Sequence, residues 1–149
     1  MCRECNYSDL LASAGLEATA NRLQVLEVIG GSNCPLAASD IYNVLSRTQA
    51  INRVTVYRIL DLLVGHNIVE RLSTGGRAAY YGLAPNKHHA PHAHFYCSRC
   101  GQMDCLRPEV FCIDADLLKK TFSGEIARVE IRVDGICKNC GRIEADERG

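Results

Sequence analysis

Two cysteine pairs have the spacing and the neighbours of metal ligands. Segments 97–101 and 137–141 both read Cys-x-x-Cys-Gly. Two residues between cysteines allow both sulfurs to reach one ion, and the following glycine permits a tight turn that aims backbone N–H groups at sulfur. Two such pairs complete a tetrahedral zinc site with no position open for a substrate. We therefore predict one structural Zn²⁺ bound by Cys97, Cys100, Cys137 and Cys140. The alternative is two unrelated thiol motifs, one of them redox-active.

The composition favours a metalloprotein in a reducing compartment. Nine cysteines in 149 residues is an odd number, and six of them fall in Cys-x-x-Cys pairs, a usage more typical of metal binding than of disulfides. No secretion signal and no apolar run of about 18–20 residues is recognisable, so we expect a cytoplasmic protein without a membrane span. The 17 basic residues balance the 17 acidic ones. A surface for nucleic acid must therefore be a local patch.

The elements before the cysteine pairs are predicted to be helices followed by a β-hairpin. Helical patterns cover 8–14, 20–29, 39–46 and 52–66, and the hairpin strands are 68–73 and 78–83. The strongest helix has an apolar face formed by Val56, Ile59, Leu60 and Leu63. This order is that of a winged helix-turn-helix, in which 39–46 supports the recognition helix 52–66 in the major groove.

The outer side of the predicted recognition helix carries side chains that can contact phosphates and base edges. An arginine on the second helix and one at the tip of the wing can add phosphate contacts. The predicted DNA-binding residues are Arg22, Asn52, Arg53, Thr55, Tyr57, Arg58 and Arg77. The alternative is a winged helix that contacts only protein, which the balanced charge of this half slightly favours.

Prolines and histidines interrupt the pattern at 84–93, so we predict a hinge there, between a winged-helix domain at 1–83 and a second domain at 94–149. The second domain has a short strand at 94–97, a turn at Gly101 and a helix around 110–122. A strand follows at 127–134, where apolar and charged residues alternate. The predicted fold class is mixed α/β, of the α+β type.

Three stretches in this order resemble a known family. They are 15–29, 53–60 with Thr-Val-Tyr-Arg on the recognition helix, and 92–101 with the run His-x-His-x-x-Cys-x-x-Cys. Together they resemble the ferric uptake regulator (Fur) family of bacterial metal-dependent repressors, over about residues 8–141. The resemblance implies that 94–149 is a dimerisation and metal-binding domain. It also implies a homodimer that binds palindromic operator DNA.

The resemblance further implies a metal sensor at the hinge, and there the sequence departs from the family. His92 and His94 match the paired sensor histidines, but the carboxylate before the hinge falls near Gly82. Cys34 occupies the position before the third helix where the family usually has a histidine. Cys105 occupies the position of a carboxylate that follows the second cysteine of the first Cys-x-x-Cys pair. The ligands of a further family site are replaced by Pro91, Ala93, Cys112 and Ile136. The resemblance implies regulatory-metal candidates at His92, His94, Cys34 and Cys105, with His88 and His89 as extra donors.

Thiolate with imidazole suits Zn²⁺, whereas oxygen-rich sites suit harder ions. We therefore predict a repressor with zinc as corepressor. The alternatives are an iron- or peroxide-responsive regulator using Fe²⁺ or Mn²⁺, and a role for Cys34 and Cys105 as small buried hydrophobes. A zinc hydrolase is a remote alternative because its motifs are missing, so no enzyme activity is predicted. Cys112 fits a core position, and the pair Cys2 and Cys5 is either a weak metal or redox pair or has no role.

Overall fold

The protein, described here by a computed structural model over residues 5–110 and 113–149, divides into two compact units. The first is Met1–Ala90 and the second is Pro91–Gly149. Cys2 and Cys112 lie outside the described residues, so the predictions made for them stay untested. Within the described ranges, no helix is long and apolar enough to cross a bilayer.

The first unit consists of four helices and a small antiparallel sheet. The helices are α1 (Tyr7–Ser13), α2 (Ala20–Gly31), α3 (Ala38–Ser46) and α4 (Arg53–Gly65), and the strands are β1 (Leu36–Ala37), β2 (Val69–Ser73) and β3 (Ala79–Leu83). The strand order is β1-β3-β2. The short β1, which the sequence pattern did not predict, pairs with β3 through Leu36 opposite Tyr81. This arrangement is a winged helix.

Polar side chains cap the N-termini of α1, α2 and α4. Asn52 precedes α4 and accepts a hydrogen bond at Oδ1 from the Thr55 N–H at 2.8 Å, and Thr19 caps α2 in the same way. After α4, Asn67 adopts a left-handed φ of 57°, a conformation that ends helices. At the tip of the wing, Gly75 has a φ of 76°, which a residue with a side chain rarely adopts.

One apolar core holds the first unit together. The predicted face of α4 is buried, and it packs with residues of the other helices and of the hairpin. Side chains at the centre of this core are completely buried, and each contributes about 1.5–3 kcal/mol relative to exposure. They include Leu11, Val25, Leu26, Ile41, Val56, Leu60 and Leu63.

The second unit is built on a three-stranded sheet of order β5-β4-β6. Its elements are β4 (His94–Cys97), β5 (Met103–Cys105), α5 (Ala115–Thr121), β6 (Arg132–Gly135) and α6 (Lys138–Arg148), with a 3₁₀ turn at Pro108–Val110. The strand β4 is central, antiparallel to β5 and parallel to β6. The mixed α/β fold class is confirmed.

Two predicted elements of this unit are shorter than the sequence pattern indicated. The strand predicted at 127–134 begins only at Arg132, because its partner β4 has four residues and its pairing starts at His94 opposite Arg132. Val129, expected on a buried face, is exposed. The helix predicted at 110–122 begins at Ala115, because the Asp114 carboxylate accepts from the N–H groups of Asp116 and Leu117. The strand β5 and helix α6 were not predicted.

Candidate metal centres and nucleic-acid interface

The four cysteines of the two Cys-x-x-Cys pairs come from two different local structures. Cys97 ends β4 and Cys100 lies in the turn between β4 and β5. Cys137 is the N-cap of α6, and Cys140 lies in its first turn. Parallel pairing of β4 with β6 brings the two segments together, since Cys97 lies opposite Gly135. The Arg99 guanidinium inside the first pair contacts the Glu144 carboxylate on α6 at 2.6 Å.

The geometry of these sulfurs fits a tetrahedral zinc ion. All four Sγ atoms lie within 4.8 Å of one another, and the Cys100 and Cys137 sulfurs are 3.8 Å apart. Zn–S bonds of about 2.3 Å at tetrahedral angles require sulfurs about 3.8 Å apart. Cys97 and Cys140 are buried, Cys137 is half-buried and Cys100 is exposed, so the cluster lies at the edge of the unit. The four residues could hold one structural Zn²⁺ with every coordination position filled by protein.

Backbone N–H groups favour the thiolate form that zinc requires. Hydrogen bonds from Cys100 N–H and then Cys137 N–H lower the pKa of Cys97 to about 6. The neighbouring thiols, Cys137 first, together with burial raise the pKa of Cys140 to about 12. A divalent cation would offset these effects on Cys140, because a coordinating thiol is deprotonated outright.

The two glycines that follow the cysteine pairs differ in their backbone. Gly101 has a φ of 77°, the left-handed turn predicted for both pairs. Gly141 instead lies within α6, so the prediction of a second tight glycine turn was wrong. No glycine turn is needed there, because the first turn of a helix already places Cys137 and Cys140, three residues apart, on one side.

A second group of candidate ligands lies on the same sheet. His92, His94 and Cys105 offer donor atoms within 4.8 Å of one another. His94 on β4 is the antiparallel partner of Cys105 on β5, and the rings of His92 and His94 are 4.6 Å apart. His94 is buried and Cys105 is exposed, which leaves the group open on one side. The set consists of one thiol and two imidazoles.

The environment of His94 suits a metal ligand. Burial first, and then the charge of His92, lower its pKa to about 4. The ring is therefore neutral at physiological pH, which is the form that coordinates metal. A site with three protein donors and one open side can hold a tetrahedral ion whose fourth ligand comes from elsewhere.

The other residues predicted for the sensor lie in the first unit. Cys34 is half-buried, and its backbone carbonyl accepts a hydrogen bond from Ser32 Oγ at 2.6 Å. Gly82 lies beside Pro35, with 3.9 Å between the Pro35 ring and the place of a β-carbon at Gly82. His88 and His89 lie in a short turn closed by pairing of Asn86 with His89. The structure thus groups only three of the predicted donors, His92, His94 and Cys105, among its described residues.

Three of the seven predicted DNA-binding side chains are exposed on α4. Arg53, Tyr57 and Arg58 are exposed, whereas Thr55 is half-buried. Arg77 is exposed at the tip of the wing. Asn52 uses its Oδ1 for the helix cap, so its amide nitrogen is the atom left to point outward. These positions stay predictions for DNA contact.

Two of the predicted DNA-binding arginines are held by neighbours outside the predicted interface. Arg53 Cζ lies 4.6 Å from the centre of the Tyr42 ring, a cation–π contact that fixes the start of α4 against α3. Arg22 Nη1 donates to the Glu17 carbonyl at 2.8 Å. The pairing of Arg53 with Tyr42, eleven positions earlier, carries no local sequence signal.

Similarity to known proteins agrees with this arrangement. Residues 13–132 match the model of the ferric uptake regulator family. The chain belongs to the ferric uptake regulator family. It is therefore a metal-responsive, DNA-binding transcription regulator. The prediction that it is not an enzyme is confirmed by this membership, and the resemblance inferred from its motifs is correct.

Curated relatives and solved structures extend the match over most of the chain. The ferric uptake regulation protein of Legionella pneumophila is 26% identical over 135 residues, 89% of this chain and 97% of that protein. The crystal structure of the Vibrio cholerae ferric uptake regulator has a TM-score of 0.70 at 25% identity, covering 89% of this chain and all of that one. A zinc uptake regulator complexed with zinc and DNA has a TM-score of 0.59 at 25% identity, covering 95% of this chain and 99% of that chain.

Proposed function

We propose that this family member is a zinc-responsive repressor that binds palindromic operator DNA as a homodimer. The observation that carries the proposal is the donor set His92, His94 and Cys105, whose ligand atoms lie within 4.8 Å of one another. Thiolate and imidazole favour Zn²⁺ over Mn²⁺, which prefers oxygen. The likeness to a zinc uptake regulator bound to zinc and DNA supports the same direction.

The proposed switch uses the two units for different tasks. The winged helix of the first unit would contact DNA through α4, and the second unit would bind the regulatory ion and form the dimer. A ligand shifts a conformational equilibrium only through a difference in its affinity for the two states. We propose that the zinc-bound state is the one in which the two recognition helices of a dimer match their half-sites. Cys34 stays a predicted further ligand of that ion.

The homodimer is proposed to form through the second unit, where apolar side chains are left uncovered. Leu117 is 58% exposed and Phe122 is 53% exposed, and Ile113, Ile136 and Ile143 are exposed as well. Apolar patches of this kind mark contact sites for other protein surfaces. Sedimentation equilibrium of the full chain should give twice the chain mass of 16.4 kDa. A monomer at micromolar concentration would contradict the proposal.

Replacing both histidines tests the sensor directly. His92→Ala/His94→Ala should retain the zinc of the four cysteines and the dimer, yet lose stimulation of operator binding by added Zn²⁺. The reason is that the double variant removes both imidazoles, which are two of the three donors that the structure brings together. Operator affinity is measured by fluorescence anisotropy with and without Zn²⁺, and His66→Ala, remote from the donor group in sequence, serves as the matched control. Unchanged stimulation in the double variant would refute the proposed sensor.

The DNA interface is tested at Arg58, an exposed residue of α4. Arg58→Ala should weaken operator binding by about 1–3 kcal/mol if the guanidinium reads a base, or reduce the salt dependence if it contacts a phosphate. Arg47→Ala removes the same charge from an exposed position after α3 and should have a smaller effect. Equal binding by the Arg58 variant and the wild type at several salt concentrations would place the interface elsewhere.

An iron-responsive regulator is the second candidate, because several relatives are ferric uptake regulation proteins. The one from Yersinia pestis is 34% identical over 95 residues, 62% of each chain. Under this alternative, Fe²⁺ or Mn²⁺ would stimulate operator binding at a lower free metal concentration than Zn²⁺ does. Titrating the operator complex with each metal, buffered in anaerobic solution, decides between the two.

A further inference from the structure

We propose that Val54 selects a thymine in the operator by contacting the C5-methyl group of that base in the major groove. This role rests on the proposed function, in which α4 enters the groove, and it assigns one base preference to one side chain. Thymine is the base that presents a methyl group in the major groove. An uncovered aliphatic side chain on the recognition helix is therefore complementary to thymine.

The first observation is that the fold leaves Val54 in solvent. It is the second residue of α4, and 56% of its surface is exposed. In the described part of the first unit, the other large hydrophobic residues that are exposed are Val44 and Tyr57, and Val54 is more exposed than either. A β-branched residue is also a weaker helix former than alanine. Neither core packing nor helix propensity therefore accounts for a valine at this position.

The second observation concerns the residues that surround Val54 on the helix surface. Side chains three and four positions apart are neighbours on a helix, so Tyr57 and Arg58 lie next to Val54. Both are exposed. Because the Cα–Cβ bonds of a helix tilt toward its N-terminus, these three side chains lie over the first turns of α4. The valine is thus part of a surface that combines an apolar patch with a positive charge.

The third observation is that the arginine before Val54 is directed to another element. Arg53 Cζ lies 4.6 Å from the centre of the Tyr42 ring on α3, while Val54 stays exposed. Arginine contacts to phosphate set the register of a protein on DNA, whereas contacts to base edges read the sequence. The Val54 side chain has no polar atom for a phosphate, so it can contribute only an apolar contact.

The distribution of charge along α4 indicates which end of the helix approaches DNA. Arg53 and Arg58 lie in its first half, and the exposed Asp61 lies about two turns after Val54 on the same face. Phosphates attract the arginines and repel this carboxylate. The N-terminal residues of a recognition helix are also the ones that contact base edges in helix-turn-helix proteins. We therefore place Val54 at the end of α4 that is nearest to the bases.

The test compares thymine with deoxyuridine, which lacks only the C5-methyl group and keeps the hydrogen-bonding groups of the base. The zinc-loaded full-length chain first selects a duplex from a random-sequence library, and this duplex is the probe. Each thymine is then replaced in turn by deoxyuridine, and the affinity is measured by fluorescence anisotropy. We expect one thymine position in each half-site at which the loss of the methyl group weakens wild-type binding about fourfold.

Replacing the valine tests whether this side chain makes the contact. Val54→Ala should weaken binding to the thymine duplex about fourfold or more, and deoxyuridine at the same position should then have no further effect. Such non-additivity identifies two groups that contact each other. Val54→Thr keeps one of the two methyl groups and should retain part of the preference for thymine.

Matched measurements separate a contact with DNA from a role in folding. Val44→Ala changes another exposed valine of the first unit, on α3, and should bind the thymine and deoxyuridine duplexes as the wild type does. Val54→Ala should unfold at the same temperature as the wild type or slightly higher, because the position is exposed and alanine is the better helix former. Thermal unfolding without DNA measures this.

Three results would overturn the proposal. Deoxyuridine could leave wild-type affinity unchanged at every position, Val54→Ala could keep the full preference for thymine, or Val54→Ala could bind the thymine duplex as the wild type does. Any of these results, with zinc-dependent operator binding intact, contradicts only the role of Val54. A zinc-loaded protein that selects no duplex would instead contradict the proposed function and this role together.

Discussion

At the scale of single residues, we expect the side chain at position 105 to have the largest influence on which metal the proposed sensor prefers. His92 and His94 alone fit several divalent ions, because imidazole binds zinc, copper, iron and nickel. Cys105, opposite His94 across the β4–β5 pair, adds the soft sulfur. Because Cys105 is exposed, substitutions there would remove a proposed ligand without opening a cavity in a core.

Exchanging this sulfur for oxygen should change the metal preference. Cys105→Asp should weaken Zn²⁺ binding at the sensor about tenfold or more and bring Mn²⁺ binding closer to it, because carboxylate is the harder donor. Cys105→Ser should weaken Zn²⁺ without the gain for Mn²⁺. Competition with a chromophoric chelator measures both, and the zinc of the four cysteines should stay constant. If both variants keep the wild-type ratio of Zn²⁺ to Mn²⁺ affinity, Cys105 is not a ligand.

At the scale of elements, the recognition helix depends on how it begins. Asn52 satisfies the Thr55 N–H, and Arg53 lies over the Tyr42 ring of α3. The first contact fixes the register of the helix start, and the second fixes that start against the support helix. The outward positions of Tyr57 and Arg58 are consequences of these contacts together with the burial of the opposite face.

Substitutions at Asn52 should separate its structural role from its contact with DNA. Asn52→Ala should lower the free energy of unfolding by about 0.5–2 kcal/mol, because the cap is lost. Asn52→Asp keeps the cap and should keep most of the stability, but its negative charge should weaken operator binding. Chemical denaturation and anisotropy measure the two effects. An Asp variant with wild-type DNA affinity would show that position 52 lies outside the interface.

At the scale of the whole molecule, the two units are stabilised in different ways. The first has an extended apolar core formed by four helices and the hairpin. In the described part of the second unit, the buried side chains include Ala93, Met103 and two of the cysteines, Cys97 and Cys140. Small apolar cores usually need a metal or a disulfide to remain folded. The second unit should therefore depend on the zinc predicted at its four cysteines.

Loss of the four-cysteine zinc should unfold the second unit selectively. Cys97→Ser should remove about one zinc per chain, because a hydroxyl lacks the charge and soft bonding of a thiolate ligand. The second unit should then unfold, because structural zinc supplies on the order of 10 kcal/mol of folding free energy. The first unit should stay folded, since its core contains none of these cysteines. Limited proteolysis with mass spectrometry, read beside the zinc content, locates the unfolded part, and Cys34→Ser is the control. A folded, zinc-free Cys97→Ser protein would contradict this prediction.

The local sequence pattern was sufficient to predict the first unit's recognition helix and hairpin, where one face of each element is buried within its own unit. The apolar spacing of α4 predicted its buried residues, and the hairpin was found from its alternation and its glycine turn. The same reasoning failed at 127–134, where alternation predicted a long strand but only Arg132–Gly135 pairs. Alternation records which residues are apolar, while the length of a strand depends on the length of its partner.

The sequence by itself determined the winged helix, the two Cys-x-x-Cys pairs and the family, because each is encoded in spacing over a few residues. The family resemblance named Cys105 as a candidate partner of His92 and His94, and the tertiary structure brought these three donors within 4.8 Å of one another. Only the tertiary structure decided that Cys5 lies beside the turn at Asn86. Cys105 reaches the histidines because β4 and β5 pair with a particular register. Such a register depends on the packing of whole elements, and no short stretch of residues specifies it.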